Sequence, residues 1–214
     1  YWEFFTARRD GREPWDVYTP YEWRNVGAMV RLGWRDRAQQ SLQWFLGNRR
    51  PAGFQHWAEV VGRDVRQPRF IGDMPHTWCG TDYVRSVLDM LAYEREADSS
   101  LVIGAGVSET WLDGGVVVRG LHTRWGTASF TLRRQKGPGG APRMFATIES
   151  NDMRVPRGGI VLDLPAAWAK SLMVDGERRA PSADGTVVLH SLPADVSWWP
   201  EPPPAKAAPK PKRR

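Results

Sequence analysis

Aromatic, imidazole and carboxylate side chains are concentrated between positions 53 and 78. Two histidines and two tryptophans share this stretch with the carboxylates of Glu59 and Asp73: they are His56, Trp57, His76 and Trp78. Indole rings offer flat apolar faces on which a sugar ring can stack, and imidazole and carboxylate groups exchange hydrogen bonds with hydroxyls. A few polar groups converging among aromatic side chains are typical of a small-molecule cleft. The stretch is therefore a candidate carbohydrate-binding region.

The two tryptophans also have a structural explanation. Trp57 and Trp78 could stack on a sugar or fill the hydrophobic core, and the sequence does not decide between these roles. His56 and His76 are candidates for hydrogen bonds to hydroxyls, as is Asp73 in the loop before His76. A metal site needs a third ligand at suitable spacing, and the sequence supplies none. We expect neither a metal nor a cofactor.

A second group of polar and aromatic residues flanks the start of another predicted helix. It consists of Tyr18, Tyr21 and Arg24. If the helix that follows them neighbours the segment around His76, these side chains reach the same cleft. We therefore include them among the candidate substrate-binding residues.

The elements that must position these residues change character near residue 100. Before it, apolar residues recur at helical spacing, most clearly from Trp78 to Tyr93, and we expect a short helical element over Phe54–Val61. After it, alternation such as Ala128, Phe130 and Leu132 predicts antiparallel strands. The prediction is an α+β multidomain chain with helices in residues 1–100 and a small antiparallel β-sandwich in 101–199.

Charge and composition exclude several classes of function. The net charge is +6, but the segment 200–214 carries five basic side chains and one glutamate, which leaves +2 for the rest. A net charge of only +2 over residues 1–199 does not predict a groove that binds nucleic acid. The Pro- and Lys-rich segment 200–214 is interpreted as a disordered tail, either a weak anchor for an anionic surface or a solubilising terminus. No apolar run is long enough for a membrane helix.

The sequence lacks other recognisable catalytic motifs. It has no glycine-rich phosphate loop, no Gly-X-Ser-X-Gly and no Cys-X-X-Cys. Its single cysteine, Cys79, lies in an apolar helical context and is expected to be buried and inert. Because the chain begins at Tyr1 without an initiator methionine, we expect it to be a piece of a longer protein, and its compartment stays open.

Several motifs together resemble the C-terminal end of a six-hairpin glycosidase, the (α/α)6-toroid type of the α-L-rhamnosidases. They are Tyr18-Thr19-Pro20-Tyr21-Glu22-Trp23-Arg24-Asn25, His56-Trp57-Ala58-Glu59, Pro75-His76-Thr77-Trp78 and Leu101-Val102-Ile103-Gly104-Ala105-Gly106. The order of helices, Gly-rich junction and sandwich is also similar. The resemblance spans roughly residues 1–198, and it implies that residues 1–100 are the last helices of a toroid.

The resemblance also implies a chemical role for Glu59. Related toroid enzymes carry a carboxylate in a Trp-X-Glu-like context, matched here by Trp57-Ala58-Glu59. Glycoside hydrolysis generally uses two carboxyl groups, of which one can activate water as a general base. We expect Glu59 to be that base. The remaining toroid helices and the second carboxylate would then lie upstream, and the isolated chain would be inactive.

Two other interpretations stay open. The chain could be a non-catalytic carbohydrate-binding or accessory protein that uses the same helices. It could also be an interaction module that acts through its basic tail.

Overall fold

The computed structural model describes residues 1–64, 66, 71–136, 140, 142–149, 152–165 and 171–199. Within them the chain is mixed α+β, with few helices and mostly antiparallel strand pairs. The chain divides into two compact units, with the boundary between Ser108 and Glu109. The predicted tail 200–214 lies outside the described residues. In the described part of the chain no helix is both long and apolar enough to cross a membrane.

The helices of the first unit carry most of the residues considered above. They are α1 (Trp2–Arg9), α2 (Trp23–Arg31), α3 (Arg35–Gly47) and α4 (Thr77–Leu91). A 3₁₀ turn, Pro20–Glu22, leads directly into α2. The helix predicted over Trp78–Tyr93 is confirmed as α4, because its apolar residues recur at the spacing that places them on one helical face.

The expected helix over Phe54–Val61 is wrong. The segment is irregular and ends in the short strand β2 (Val61–Gly62), which pairs with β1 (Val17–Tyr18). Its backbone groups are satisfied by the segment before α4 instead of by a helix. Glu59 N–H donates to the Asp73 carbonyl at 2.9 Å, and the Trp57 carbonyl accepts from His76 N–H at 2.8 Å. Backbone hydrogen bonds to residues distant in sequence thus replace the i→i−4 pattern.

The core of the first unit is built largely from aromatic rings. Trp23 is fully buried at its centre, with ring centroids 5.0 Å from Phe45, 5.1 Å from Trp57 and 4.9 Å from Tyr83. Offset and edge-to-face contacts of this kind add to the stabilisation that comes from burial alone. The many tryptophans of this half of the chain are therefore mostly structural.

Helices α2 and α4 approach each other closely at Gly27. A Cβ atom there would lie 3.1 Å from Asp89 Oδ2 and 3.2 Å from Ser86 Oγ. The buried Ser86 hydroxyl donates to the Trp23 carbonyl at 2.7 Å and accepts from Gly27 N–H at 3.3 Å. The absence of a side chain at Gly27 allows this contact, which fixes the first half of α2 against the second half of α4.

The first unit ends in a hairpin and a tight bend. Strand β3 (Ala92–Arg95) follows α4 and pairs antiparallel with β4 (Ser100–Ile103). Gly106 then packs directly on α4, where an added Cβ would lie 2.5 Å from Met90 Cβ. Gln39 holds the same bend by donating to the Gly106 carbonyl at 2.6 Å.

The second unit contains a short helix, α5 (Glu109–Gly114), and an antiparallel sheet. The six strands of the sheet run in the order β10-β9-β12-β7-β6-β5. Their bounds are Val116–Thr123 (β5), Gly126–Lys136 (β6), Pro142–Ile148 (β7), Ser171–Val174 (β9), Glu177–Arg179 (β10) and Ala194–Trp199 (β12). The remaining strands of this unit, β8 (Ile160–Leu162) and β11 (Val187–Leu189), pair antiparallel with each other.

The alternation predicted for this half of the chain is confirmed. Ala128, Phe130 and Leu132 are buried on β6, and alternate residues of β7 from Met144 to Ile148 are buried as well. Successive side chains of a strand point to opposite faces, so one face of the sheet supplies a core. That the strands form a complete β-sandwich stays a prediction.

Candidate functional site

A hydrogen-bonded chain of three side chains lies at the start of α4. The Tyr21 hydroxyl is 2.6 Å from His76 Nε2, and His76 Nδ1 is 3.1 Å from Asp73 Oδ2. Tyr21 belongs to the 3₁₀ turn before α2, and His76 is the residue that precedes the first turn of α4. The contact between α2 and α4 therefore brings together groups separated by 55 residues.

The hydrogen bond between Tyr21 and His76 can have either residue as its donor. With neutral His76, Nδ1–H donates to Asp73 and Nε2 accepts from Tyr21, so the phenol oxygen can accept a hydrogen bond from a ligand. When His76 is protonated, both ring nitrogens donate, and the Tyr21 O–H is free to donate to a ligand. Burial raises the pKa of the Tyr21 phenol, and the Cys79 thiolate and Glu59 carboxylate add to this effect. Tyr21 therefore acts as a neutral hydroxyl.

An exposed indole borders this chain. Trp78 is 63% exposed, and its ring meets the Tyr21 ring edge to face at 5.6 Å. Arg24 lies 5.0 Å over the Tyr21 ring and is held by Asp82 through a contact of 2.7 Å. A flat apolar surface thus stands next to a hydroxyl, an imidazole and a guanidinium, which is the combination that binds a polyol ring.

Glu59 is held in place by its backbone. Its N–H donates to the Asp73 carbonyl, and its carbonyl accepts from the Thr19 hydroxyl at 2.6 Å. The side chain is half-buried, and its charge contributes to the raised pKa values of Tyr21 and Cys79. The backbone of Glu59 thus joins the segment of Asp73 to the turn that carries Tyr21. Among the described residues no side chain donates a hydrogen bond to the Glu59 carboxylate. The carboxylate is thus available to a ligand or a water molecule.

The structure does not bring every predicted residue into this cluster. Trp57 and Tyr18 are buried, and the Tyr18 hydroxyl donates to the Asn48 carbonyl at 2.9 Å. The burial of Trp57 agrees with its core alternative, whereas Tyr18, predicted to reach the cleft, lies in the core. His56 is exposed, and in the described part of the chain it makes no hydrogen bond or ring contact with the other candidates.

Thr19 is a positioning residue that the sequence analysis did not single out. Its hydroxyl accepts from Tyr21 N–H at 3.3 Å and donates to the Glu59 carbonyl. One side chain therefore fixes both the turn that carries Tyr21 and the segment that carries Glu59. The signal was available, because threonine followed by proline is a common start of a helical turn.

The cluster shows no arrangement suited to a metal ion. Over the described ranges, no group of three or more His, Cys, Asp or Glu side chains lies close enough to hold one. The hydrogen bonds of His76 to a phenol and to a single carboxylate account for both of its ring nitrogens.

Comparison with known proteins gives little further information. No family matches the chain, and no curated protein is significantly similar to it. Among solved structures, a GH127 β-L-arabinofuranosidase from Geobacillus stearothermophilus T6 is similar at a TM-score of 0.29 and 10% identity. The similarity covers 68% of this chain and 24% of that protein, so this chain spans about a quarter of its length. A similarity at this level supports no inference about activity.

Proposed function

We propose that this chain is part of a carbohydrate-active enzyme of the glycoside hydrolase type. The cluster around Tyr21 and His76 binds a saccharide, with Trp78 as the stacking surface and Arg24 and Asp73 as hydrogen-bonding partners. The observation that carries the proposal is the exposed indole beside the Tyr21–His76–Asp73 chain, with the backbone of Glu59 bonded to the same segments and its carboxylate without a hydrogen-bond partner among the described residues.

Glu59 is proposed as the general base. A base must be ionised, positioned and able to accept a proton from water. The two backbone hydrogen bonds of Glu59 supply the positioning, and its free carboxylate oxygens can accept the proton. A glycosidase also needs a carboxylic acid to protonate the leaving oxygen. We place that acid in a part of the protein outside this chain.

The same proposal extends to the fold. The sequence resembles six-hairpin glycosidases, and this resemblance supports the proposal that the helices of the first unit are the last helices of an (α/α)6 toroid. The antiparallel sheet of the second unit would then belong to the terminal β-sandwich.

A non-catalytic carbohydrate-binding protein is the second candidate. The exposure of Trp78 favours it, because a stacking surface open to solvent is sufficient for binding without catalysis. The two candidates differ only in the role of Glu59.

The test separates binding from hydrolysis in one variant. Glu59→Gln keeps the size and removes the basic carboxylate. In the protein made from the complete reading frame, we expect it to lower kcat on chromogenic glycosides by about 100-fold or more. Calorimetric binding of the same saccharides should change by less than about twofold.

The matched control is Glu13→Gln, which alters an exposed carboxylate of the same unit. It should leave both readouts unchanged. Full hydrolysis by the Glu59→Gln protein, with saccharide binding retained, would favour the non-catalytic candidate for this chain. Absence of saccharide binding by any form would end both candidates.

A further inference from the structure

A polar groove runs between α2 and α4, next to the candidate site. It has a volume of about 400 Å³, and three arginines line it: Arg24, Arg31 and Arg85. Two carboxylates, Asp82 and Asp89, also contribute to its lining, as does the amide of Asn25. Arg24 belongs both to this groove and to the surface over Tyr21, so the groove continues from the site.

The carboxylates are shielded, whereas the guanidinium groups face the solvent. The Arg24 side chain is 53% exposed against 15% for its partner Asp82. The Arg31 side chain is 38% exposed against 8% for its partner Asp89. A molecule entering the groove therefore meets positive groups first, although two of the three arginines are formally neutralised.

The shielded carboxylates also hold the arginines in fixed orientations. Arg31 Nε and Nη2 each contact one oxygen of Asp89 at 2.7 Å. Arg24 Nε and Nη2 both contact Asp82 Oδ2, at 3.1 and 2.7 Å. Arg24 Nη1 has no hydrogen-bond partner in the described part of the chain. A guanidinium that is already oriented loses little conformational entropy when it binds an anion.

Arg85 supplies the charge that no carboxylate offsets. It lies on α4 between Asp82 and Asp89 and is exposed. In the described part of the chain it makes no ion pair. The groove thus has an excess of one positive charge, on a planar group that recognises carboxylates through two parallel hydrogen bonds.

We propose that this groove binds the carboxylate of an acidic saccharide, so that the ligand of the neighbouring site contains a uronic acid. The inference rests on the proposed function, because it extends the same binding surface. Arg85 is the main recognition residue, with Arg24 linking the groove to the sugar that stacks on Trp78. The positions of Arg24 and Arg31 on α2 are separated by about 10 Å of helix rise, which leaves room for a charged group between them.

The test compares two ligands that differ only in charge. Trigalacturonate and its methyl ester have the same sugar rings, but the ester carries no carboxylate. Binding to the whole chain is measured by calorimetry at low salt. We expect the free acid to bind at least about tenfold more tightly than the ester, and Arg85→Gln to remove that difference.

Arg12→Gln is the matched control, since Arg12 is a well-exposed arginine of the same unit outside the groove. It should leave the preference intact. A circular dichroism melt of each variant reports whether the fold is retained. Equal affinity of acid and ester for the unaltered chain would overturn the inference while leaving the proposed function standing. A preference that survives Arg85→Gln would overturn it as well.

Binding of a sulfated trisaccharide, measured in the same way, tests whether the groove prefers a carboxylate to a sulfate group. Weaker binding than trigalacturonate supports carboxylate recognition, whereas stronger binding would contradict it. If neither the acid nor the ester binds, the inference fails, and the proposed function fails with it only if neutral saccharides do not bind either.

Discussion

His76 is the residue that connects the candidate site. It contacts Tyr21 through one ring nitrogen and Asp73 through the other, and its backbone N–H holds the segment that carries Glu59. His76 therefore joins three segments, two of them through its imidazole and one through its backbone N–H.

Trp78→Ala tests the stacking surface. Because the indole is exposed, its removal should leave the fold intact and weaken saccharide binding about fivefold to tenfold. Titration calorimetry measures the affinity. Trp34→Ala is the control, since Trp34 is also exposed and contacts none of the candidate residues in the described part of the chain. Equal losses in both variants would argue against a specific role for Trp78.

Buried phenol and thiol groups predict a loss of stability at alkaline pH. Burial raises the pKa of Tyr18 to about 12, and it raises the pKa of Cys79 to about 11, with Asp82 and Glu59 contributing. In the unfolded chain both groups lose their protons at lower pH. The free energy of unfolding should therefore be unaffected by these groups below about pH 8 and fall steadily as pH rises toward 12.

Urea unfolding at pH 8 and pH 11 measures this slope. Tyr18→Phe removes one of the two groups and should make the decrease smaller. An unchanged slope in that variant would show that Tyr18 titrates alike in the folded and unfolded chains.

For single residues, the sequence indicated which side chains have the chemistry to bind a ligand, but not which of them are exposed. Trp57 and Trp78 have the same chemistry and adjoin the same loop, yet one is buried against Trp23 and the other is exposed. The difference arises from how the segment 54–62 packs onto α2 and α4, which depends on contacts distant in sequence. Tyr18 and Tyr21 diverge for the same reason.

Helices and strands whose apolar residues recur at a regular spacing were predictable from the sequence. Segments held by tertiary contacts were not. The apolar spacing in α4 and the alternation in β6 and β7 are local signals, so they identified these elements. The segment 54–61 has short-range features compatible with a helix. Its backbone partners lie in residues 72–76, which no local pattern reveals.

Gly106→Ala tests the packing of the bend onto α4. An added Cβ would lie 2.5 Å from Met90 Cβ and 2.6 Å from Met90 Cα, so backbone must move. We expect a loss of about 2 kcal/mol in the free energy of unfolding. Denaturant titration measures it.

Gly80→Ala is the opposite control. Gly80 lies inside α4 with open space around its Cα, and alanine there should raise stability by about 0.5–1 kcal/mol. Similar losses in both variants would mean that the Met90 contact is not the cause of the loss in Gly106→Ala.

The whole molecule carries its positive charge unevenly along the sequence. Removal of residues 200–214 would lower the net charge from +6 to +2. We expect the shortened protein to elute from a cation exchanger at clearly lower salt and to bind saccharides with unchanged affinity. This result would leave the first unit as the binding region. A loss of saccharide affinity would instead implicate the basic segment and revive the interaction-module alternative.

The division at Ser108 and Glu109 could be anticipated only approximately from the sequence. The change from helical to alternating periodicity lies near residue 100, but β4 (Ser100–Ile103) falls within the first unit, where it pairs with β3. A change of period marks where strands begin. It does not show which partner a strand selects.

The exposure of Trp78 also makes the molecule its own optical reporter. Indoles in water emit at longer wavelengths than shielded ones, and Trp23 and Trp57 are shielded. A water-soluble quencher such as iodide should therefore extinguish the red edge of the emission first. Trp34 is exposed as well. In the Trp34→Ala variant, a sugar seated on Trp78 would protect the exposed fraction and shift it to the blue, so occupancy can be followed without any attached dye.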